Sequence, residues 1–445
     1  MIATSKVKAI IGTGVTGLSV ARFLARMGQA FVLLDTRAQP PNLAQIRQEF
    51  PDVVIETGEL KAETLLLADE IIVSPGIAVA TPAIAAAKAA GIPVVGDIEL
   101  FVRYARAPIV AITGSNAKST VTTLVGEMAA HAGVKVAVGG NLGTPALELL
   151  QDDVELYVME LSSFQLETVT RLNARVATIL NVSADHLDRY PDMPSYHAAK
   201  LRVYFGAEKI VVNRNDVLTH PPLASGVKPI TFGGGAEFNN FGVMQEQGED
   251  YLAWQFQPLM PVSQLKIRGK HNVDNALAAL ALGYAAGLSI PAMIETLQTF
   301  AGLPHRCEWV TTMTGIDFFN DSKGTNIGAT VAAIKGLARP PAKLVLIAGG
   351  DGKGADFREL APAIDEQIRA VILMGRDAVK IAEAIEGRSR IIFASSMTDA
   401  VTKAYEQAQA GDAVLLSPAC ASFDMFKSYV DRGQQFCAAV EELAS

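Results

Sequence analysis

Ile109-Val110-Ala111-Ile112-Thr113-Gly114-Ser115-Asn116-Ala117-Lys118-Ser119-Thr120 is the stretch whose chemistry sets the architecture. Ile109–Ile112 is an apolar, β-branched run with the length of a buried strand, and it runs into Thr113-Gly114. A helical pattern is expected from Thr122 onward. The polar loop between them offers free backbone N–H groups at a helix N-terminus, then a lysine and two hydroxyls. That is phosphate-binding chemistry: amides and helix dipole favour negative charge, the lysine reaches β- and γ-phosphates, and a hydroxyl can ligate Mg²⁺. The strict phosphate-loop pattern asks for glycine at two positions where this chain has Ile112 and Ala117. Alanine at 117 is strained if the loop needs a positive φ there.

The same strand–helix alternation extends in both directions. Toward the N-terminus, Val7–Ile11 reads as a strand, Leu18–Met27 as a helix, and Ala30–Leu34 as a strand ending in Asp35. Glu70–Val73 ends at the turn Ser74-Pro75-Gly76, a helix runs from Thr81-Pro82 to Gly91, and Pro93–Val95 is a short strand. Toward the C-terminus, Tyr157–Met159 and Val176–Leu180 continue the pattern. Residues 219–269 are Gly-rich with short alternating runs and read as strands and turns, before a helix over Asn272–Ala286. Gly302-Leu303-Pro304 reads as a hinge. Strands at Leu344–Ala348, Val371–Met374, Ile391–Phe393 and Ala413–Leu416 then alternate with helices. The expected fold class is α/β in three domains, at 1–96, 97–302 and 303–445: a Rossmann-like unit, a phosphate-loop ATPase-like unit and a second Rossmann-like unit.

Composition agrees and excludes alternatives. A chain of 445 residues suits about three domains, and half of it is hydrophobic with 19% charged, so it is neither disordered nor fibrous. A formal net charge of −8 argues against bulk nucleic-acid binding, although local phosphate sites built on backbone amides stay open. Cys307, Cys420 and Cys437 fit neither a closed disulfide framework nor a zinc spacing, which points to a reducing, cytoplasmic setting. Met1–Ser5 runs straight into a strand, so no signal peptide is read there. Ala276–Ile294 carries no formal charge, but its glycines, Pro291 and many alanines mark a buried helix rather than a membrane span.

Several further motifs carry chemistry. Gly12-Thr13-Gly14-Val15-Thr16-Gly17 follows a strand and opens a helix, with Asp35 ending the next strand, as at dinucleotide and nucleotide-sugar sites. A ligand-free tight turn is the alternative. Glu160 ends a core strand, where a carboxylate can hold Mg²⁺ or merely cap the following turn. Asn181–Asp188 sets His186 between two acids, and Tyr196–Lys200 puts a lysine on a helix. Polar loops follow at Gly269–Asn275, Leu303–Arg306, Asp321–Asn326 and Gly349–Lys353.

Taken in order, these motifs resemble the ATP-dependent Mur ligases of peptidoglycan synthesis along essentially the whole chain. The resemblance rests on Thr113–Thr120, Glu160–Glu167, Asn181–Asp188, Tyr196–Lys200, His271–Asn275, Leu303–Arg306, Asn320–Asn326 and Leu416–Lys427. Ala117 departs from the family's usual glycine. Ser163–Glu167, Ser417–Asp424 and the lack of an Asp-Asn-Pro-Arg box point to the member that adds D-glutamate to UDP-N-acetylmuramoyl-L-alanine. The resemblance then implies that Gly14, Val15, Thr16, Asp35, Thr36, Arg37, Ser74 and Gly76 bind the UDP substrate, with Asn141 and His186 nearer the metals. It implies ATP at Gly114, Ser115, Asn116, Ala117, Lys118, Ser119 and Thr120, with Asn272, Asn275, Arg306 and Asp321 placing adenosine and γ-phosphate. Two Mg²⁺ would be held by Ser119, Glu160, His186 and Lys200, the lysine as a carbamate, whose hard oxygens suit Mg²⁺. D-glutamate would meet Lys353, Ser422, Phe423 and Tyr429. Lys118, His186 and Lys200 would be catalytic. The resemblance further implies a cytoplasmic monomer with small-molecule partners, no nucleic acid and no membrane insertion. Competing readings are another Mur-type or folylpolyglutamate-type ligase, an NAD-linked oxidoreductase on Gly12–Gly17, and a non-catalytic nucleotide switch.

Overall fold

The computed structural model of the chain describes residues 7–186, 189–223 and 227–444. Met1–Ser5, and Leu187 and Asp188 of the motif containing His186, lie outside the described residues. Three sheets follow one another along the chain. The first holds β1 (Val7–Ile11), β2 (Ala30–Asp35), β3 (Ile55–Thr57), β4 (Glu70–Val73) and β5 (Val94–Val95), all parallel in the order β3-β2-β1-β4-β5. That order reverses between β1 and β4, which opens a crevice at their carboxyl ends.

The second sheet begins with β6 (Ile109–Thr113), β7 (Val136–Gly140), β8 (Leu156–Glu160), β9 (Val176–Ile179), β10 (Lys209–Asn213) and β11 (Ile230–Gly235). It ends in an antiparallel meander, β12 (Asn240–Glu246), β13 (Glu249–Trp254) and β14 (Gln257–Pro261), giving β14-β13-β12-β11-β10-β9-β6-β8-β7. β6 and β8 are buried at every residue, which is why they read as unbroken apolar runs. The helix Lys118–His131 covers them with Val121, Leu124, Val125 and Met128 and packs against the alanine-rich helix Lys270–Ala286. Here the expectation needs correcting: the helix after the phosphate loop starts at Lys118, not at Thr122. Its first turn is polar because it carries the loop's working side chains, so the apolar periodicity sets in a turn late.

The third sheet starts earlier than Leu344. An antiparallel hairpin, β15 (Glu308–Met313) and β16 (Ile316–Asn320), precedes β17 (Leu344–Ala348), β18 (Ile368–Leu373), β19 (Arg390–Phe393) and β20 (Ala413–Leu416). The order is β15-β16-β20-β17-β18-β19, so the winding reverses between β17 and β20. The uncharged stretch Ala276–Ile294 is split by Gly287, at φ +95°, from a second helix over Ile290–Thr299. No described helix is long and apolar enough to cross a membrane.

Candidate active site

The carboxyl ends of β9, β6 and β8 are adjacent, and the loops leaving them line a cavity of about 700 Å³ closed on its far side by the third sheet's loops. The loop after β6 is fastened to the one after β9. Asn116 N–H donates to Asn181 Oδ1 at 2.8 Å, Asn181 Nδ2 donates to Asn116 O at 3.1 Å, and Ser183 N–H donates to Ser115 Oγ at 3.0 Å. Ala117 sits at φ +66°, so the loop does demand the left-handed conformation that glycine supplies more cheaply. Held this way, the loop delivers Lys118, Ser119 and Thr120 into the first helical turn.

Cations crowd this floor. Lys118 Nζ donates to Gly114 O at 2.8 Å and Ser115 O at 3.0 Å. Burial lowers its pKa, while Glu160 and Asp185 pull it back up. Lys200 is 1% exposed; its Nζ donates to Gly114 O at 2.9 Å and lies 4.5 Å from the Tyr196 ring centre. Burial, then the Lys118 charge, push the Lys200 pKa well below the ordinary lysine range, against the pull of Asp185. His186, at φ +57°, sets Nε2 3.6 Å from Asp185 Oδ2 and packs edge-on to Phe164.

Glu160 is 2% exposed. Its Oε1 accepts from Asn141 Nδ2 at 2.6 Å, while Oε2 is buried without a hydrogen-bond partner. A buried carboxylate oxygen left bare calls for a cation. Mg²⁺ needs only one or two protein carboxylates beside substrate phosphates, so Glu160 with the Ser119 hydroxyl fits it.

The third unit supplies the cover. Arg306 Nη2 donates to Ser119 Oγ at 2.6 Å. Asp321 accepts from Cys307 N–H at 3.1 Å and Ser417 Oγ at 2.7 Å, and burial pushes its carboxyl up to about 6. Lys323, with Nζ 4.0 Å from the Tyr429 ring centre, is lowered to about 8 by burial and then by Arg306. Asn272 and Asn275 are hydrogen-bonded to each other at 2.9 Å along one wall.

Of the expected residues, Ser115 to Thr120, Asn141, Glu160, His186, Lys200, Asn272, Asn275, Arg306, Asp321, Lys353 and Tyr429 line this one cavity. Gly114, Ser422 and Phe423 do not: Gly114 meets the site through its carbonyl, which accepts from Lys118 and Lys200, Ser422 is buried off the cavity and Phe423 is 77% exposed. Gly14, Val15, Thr16, Asp35, Thr36, Arg37, Ser74 and Gly76 gather instead at the crevice above β1, β2 and β4. There Gly12, at φ +100°, would bring a Cβ within 2.7 Å of Ser74 Oγ, so glycine lets the turn after β1 pack against the one after β4. Asp35 does not offer free oxygens. Its carboxylate accepts from Thr13 N–H and Oγ1, both at 2.9 Å, and from Arg37 Nε and Nη2, so it shapes the crevice from below. Lys323, Asn326 and Tyr196 also line the cavity; they stand within motifs quoted from the sequence but were assigned no role there. Tyr196 could have been found as the residue one helical turn before Lys200, on the same face.

Family models match most of this chain: a Mur ligase MurD-like N-terminal domain over 6–96, a Mur ligase middle domain over 112–283, and a Mur ligase glutamate ligase domain over 305–420. The UDP-N-acetylmuramoylalanine–D-glutamate ligase of Pseudomonas fluorescens (strain Pf0-1) is 59% identical over 446 residues, covering 100% of both chains. That of Hahella chejuensis is 52% identical and covers 96% of each. Among solved structures, UDP-N-acetylmuramate-alanine ligase from Thermotoga maritima superposes with a TM-score of 0.60 at 18% identity, over 98% of this chain and 99% of that one. A pseudomurein peptide ligase type C from Methanothermus fervidus gives a TM-score of 0.59 at 19% identity, over 98% and 100%. These two likenesses extend the three-unit fold.

Proposed function

This chain belongs to the Mur ligase family, and on that premise we propose that it joins D-glutamate to UDP-N-acetylmuramoyl-L-alanine while splitting ATP to ADP and phosphate. The observation that carries this is the shared cavity. Lys118 and Ser119 of the phosphate loop, Glu160, and Lys353 and Tyr429 from the third unit all face one space. Nucleotide and acceptor chemistry therefore meet without crossing solvent.

A carboxylate is a poor electrophile, so its oxygen first attacks the γ-phosphorus of ATP, releasing ADP and leaving an acyl phosphate. The deprotonated amine of D-glutamate then attacks the acyl carbon, and the tetrahedral intermediate expels phosphate as the amide forms. Bound Mg²⁺ supplies charge that offsets the repulsion between two anions. Ser119 and Glu160 would hold one ion, and His186 with Lys200 a second. Lys200 would act there as a carbamate, formed when its neutral amine adds to CO₂ and releases a proton; its low basicity supports that step. Lys118 would neutralise the phosphates as charge moves, with Gly114 to Thr120 cradling them and Asn272, Asn275, Arg306 and Asp321 placing adenosine and γ-phosphate. Gly14, Val15, Thr16, Asp35, Thr36, Arg37, Ser74 and Gly76 would form the UDP crevice, with Asn141 and His186 at the reacting end of that substrate. Lys353 and Tyr429 would meet D-glutamate from the cavity wall; Ser422 and Phe423, which the resemblance also assigns to it, stand off that cavity here. The protein would act as a cytoplasmic monomer on these small-molecule substrates.

Phosphate release from UDP-N-acetylmuramoyl-L-alanine and MgATP should depend on D-glutamate, with L-glutamate, L-alanine and diaminopimelate at background. Preference for any of those three refutes the acceptor assignment.

A further inference from the structure

In the third sheet the winding reverses between β17 and β20, and the loops after those strands flank the crevice where α/β sheets bind ligands. The loop after β17 carries Lys353, which lines the cavity in a left-handed conformation at φ +51°. A lysine gains nothing from that conformation by itself, so the surroundings must impose it. Its N–H donates to Asp351 Oδ1 at 3.0 Å, but Asp351 belongs to the same loop and needs fixing too.

The fixing comes from a third loop, Gly375-Arg376-Asp377, at the end of β18. Asp377 is 6% exposed; its Oδ2 accepts from Gly352 N–H at 2.8 Å, and its own N–H donates to Gly350 O at 3.0 Å. One residue thus brackets the backbone just before Lys353 from both sides. Arg376 completes the tie: its guanidinium donates to Asp351 Oδ2 at 2.7 Å, and its backbone N–H donates to Asp424 Oδ2 at 2.8 Å, on the loop after β20. Asp351 and Ala421 are also paired backbone to backbone in both directions, at 3.1 and 2.8 Å. A Cβ on Gly375 would lie 2.6 Å from Asp424 Oδ2, so the three loops are in close contact.

We propose that Asp377, which faces no substrate, is a positioning residue for the acceptor amino acid: by bracketing Gly350 and Gly352 it holds Lys353 where it meets the acceptor's carboxylate. This rests on the reading of Lys353 as an acceptor-binding residue. A misplaced cation weakens binding of the anion it serves while leaving the distant phosphate loop untouched. Asp377→Ala should therefore raise the KM for D-glutamate about tenfold or more, with the KM values for ATP and the UDP substrate and kcat changed less than about threefold. Asp377→Asn, which keeps an acceptor oxygen for Gly352, should restore most of the loss; if Asp377→Ala does not fold, Asp377→Leu, which fills the space but accepts nothing, replaces it as the test variant. Lys353→Ala should raise the same KM, and Asp377→Ala added to it should change little further, because the aspartate acts through the lysine. A D-glutamate KM within twofold of wild type in Asp377→Ala (or in Asp377→Leu in its place), or effects that multiply in the double variant, would overturn the inference alone. A Lys353→Ala enzyme with an unchanged D-glutamate KM would remove the underlying reading of Lys353, and the inference with it.

Discussion

Asp97 opens the helix Asp97–Tyr104 at the seam between the first two sheets, where it is 3% exposed. Its Oδ2 accepts from Gln165 Nε2 at 3.3 Å, and its Oδ1 is buried without a partner. Burial therefore raises its pKa to about 6, against the smaller lowering effects of Gln165 and the helix's first amides. An acid with a raised folded pKa keeps its proton where the unfolded chain has lost it. Stability then falls as pH climbs from about 4 to about 6 and stays at the lower level above, by on the order of 3 kcal/mol. Asp97→Asn abolishes that titration and leaves an oxygen for Gln165. The variant should unfold at a higher temperature than wild type at pH 8, with the gap closing as pH falls toward 4.5. A gap independent of pH would show that Asp97 stays ionised in the fold. Nothing in the sequence marked this residue, because its cost comes from what packs around it; Ala117, by contrast, was visible as a departure from a pattern, and its strain is there at φ +66°.

At the scale of elements, the helix Ile327–Leu337 presents glycine where it meets the second unit. A Cβ on Gly336 would lie 1.9 Å from His271 Nδ1, and one on Gly328 would lie 2.6 Å from Ser183 Oγ. Alanine is the better helix former by about 1 kcal/mol, so glycine there serves the contact rather than the helix. Gly336→Ala should lower the thermal midpoint, because the clash outweighs about 1 kcal/mol of helix propensity, and raise the KM for ATP about tenfold by lifting the third unit off the phosphate loop. In a His271→Ala background, which empties the colliding space, the same substitution should matter little. Equal penalties in both backgrounds would mean that the glycine has another purpose. Parallel strands buried at every residue, such as β6, β8 and β9, were readable from sequence as continuous apolar runs, bounded to within a few residues, whereas the part-exposed β3, β7 and β10 were not. The β15–β16 hairpin was not, because Trp309 and its neighbours are half exposed at a sheet edge and blur the alternation. Its one clear signal was the turn Thr314-Gly315, where both residues have positive φ (47° and 78°), as a two-residue hairpin turn requires.

The whole molecule adds contacts that no local pattern encodes. Arg306 reaches Ser119 across 187 residues, and Asn326 Nδ2 donates to Asn116 Oδ1 across 210 and to Asp185 Oδ2 across 141. Motifs could nominate Arg306 and Lys118 for one site, but only the seating of one unit on another brings them together. That seating also has an electrostatic cost. Lys118, Arg306 and Lys323 converge on the cavity, and Arg306 and Lys118 both push the Lys323 pKa down. Like charges brought together in a low-dielectric space oppose closure until an anion enters. A nucleotide's phosphates bind the seated arrangement better than the separated one, and so shift the population toward it. With Mg²⁺ and a non-hydrolysable ATP analogue, backbone hydrogen exchange should therefore slow in residues 115–121 and also in Ile327–Leu337, which touches the loop only through the seating. Strands β1 to β5 should exchange at their unliganded rates, since the crevice we propose for the other substrate lies apart from the phosphate loop. Protection confined to residues 115–121 would show that the nucleotide binds the second unit alone and that Arg306 and Asn326 do not couple the two.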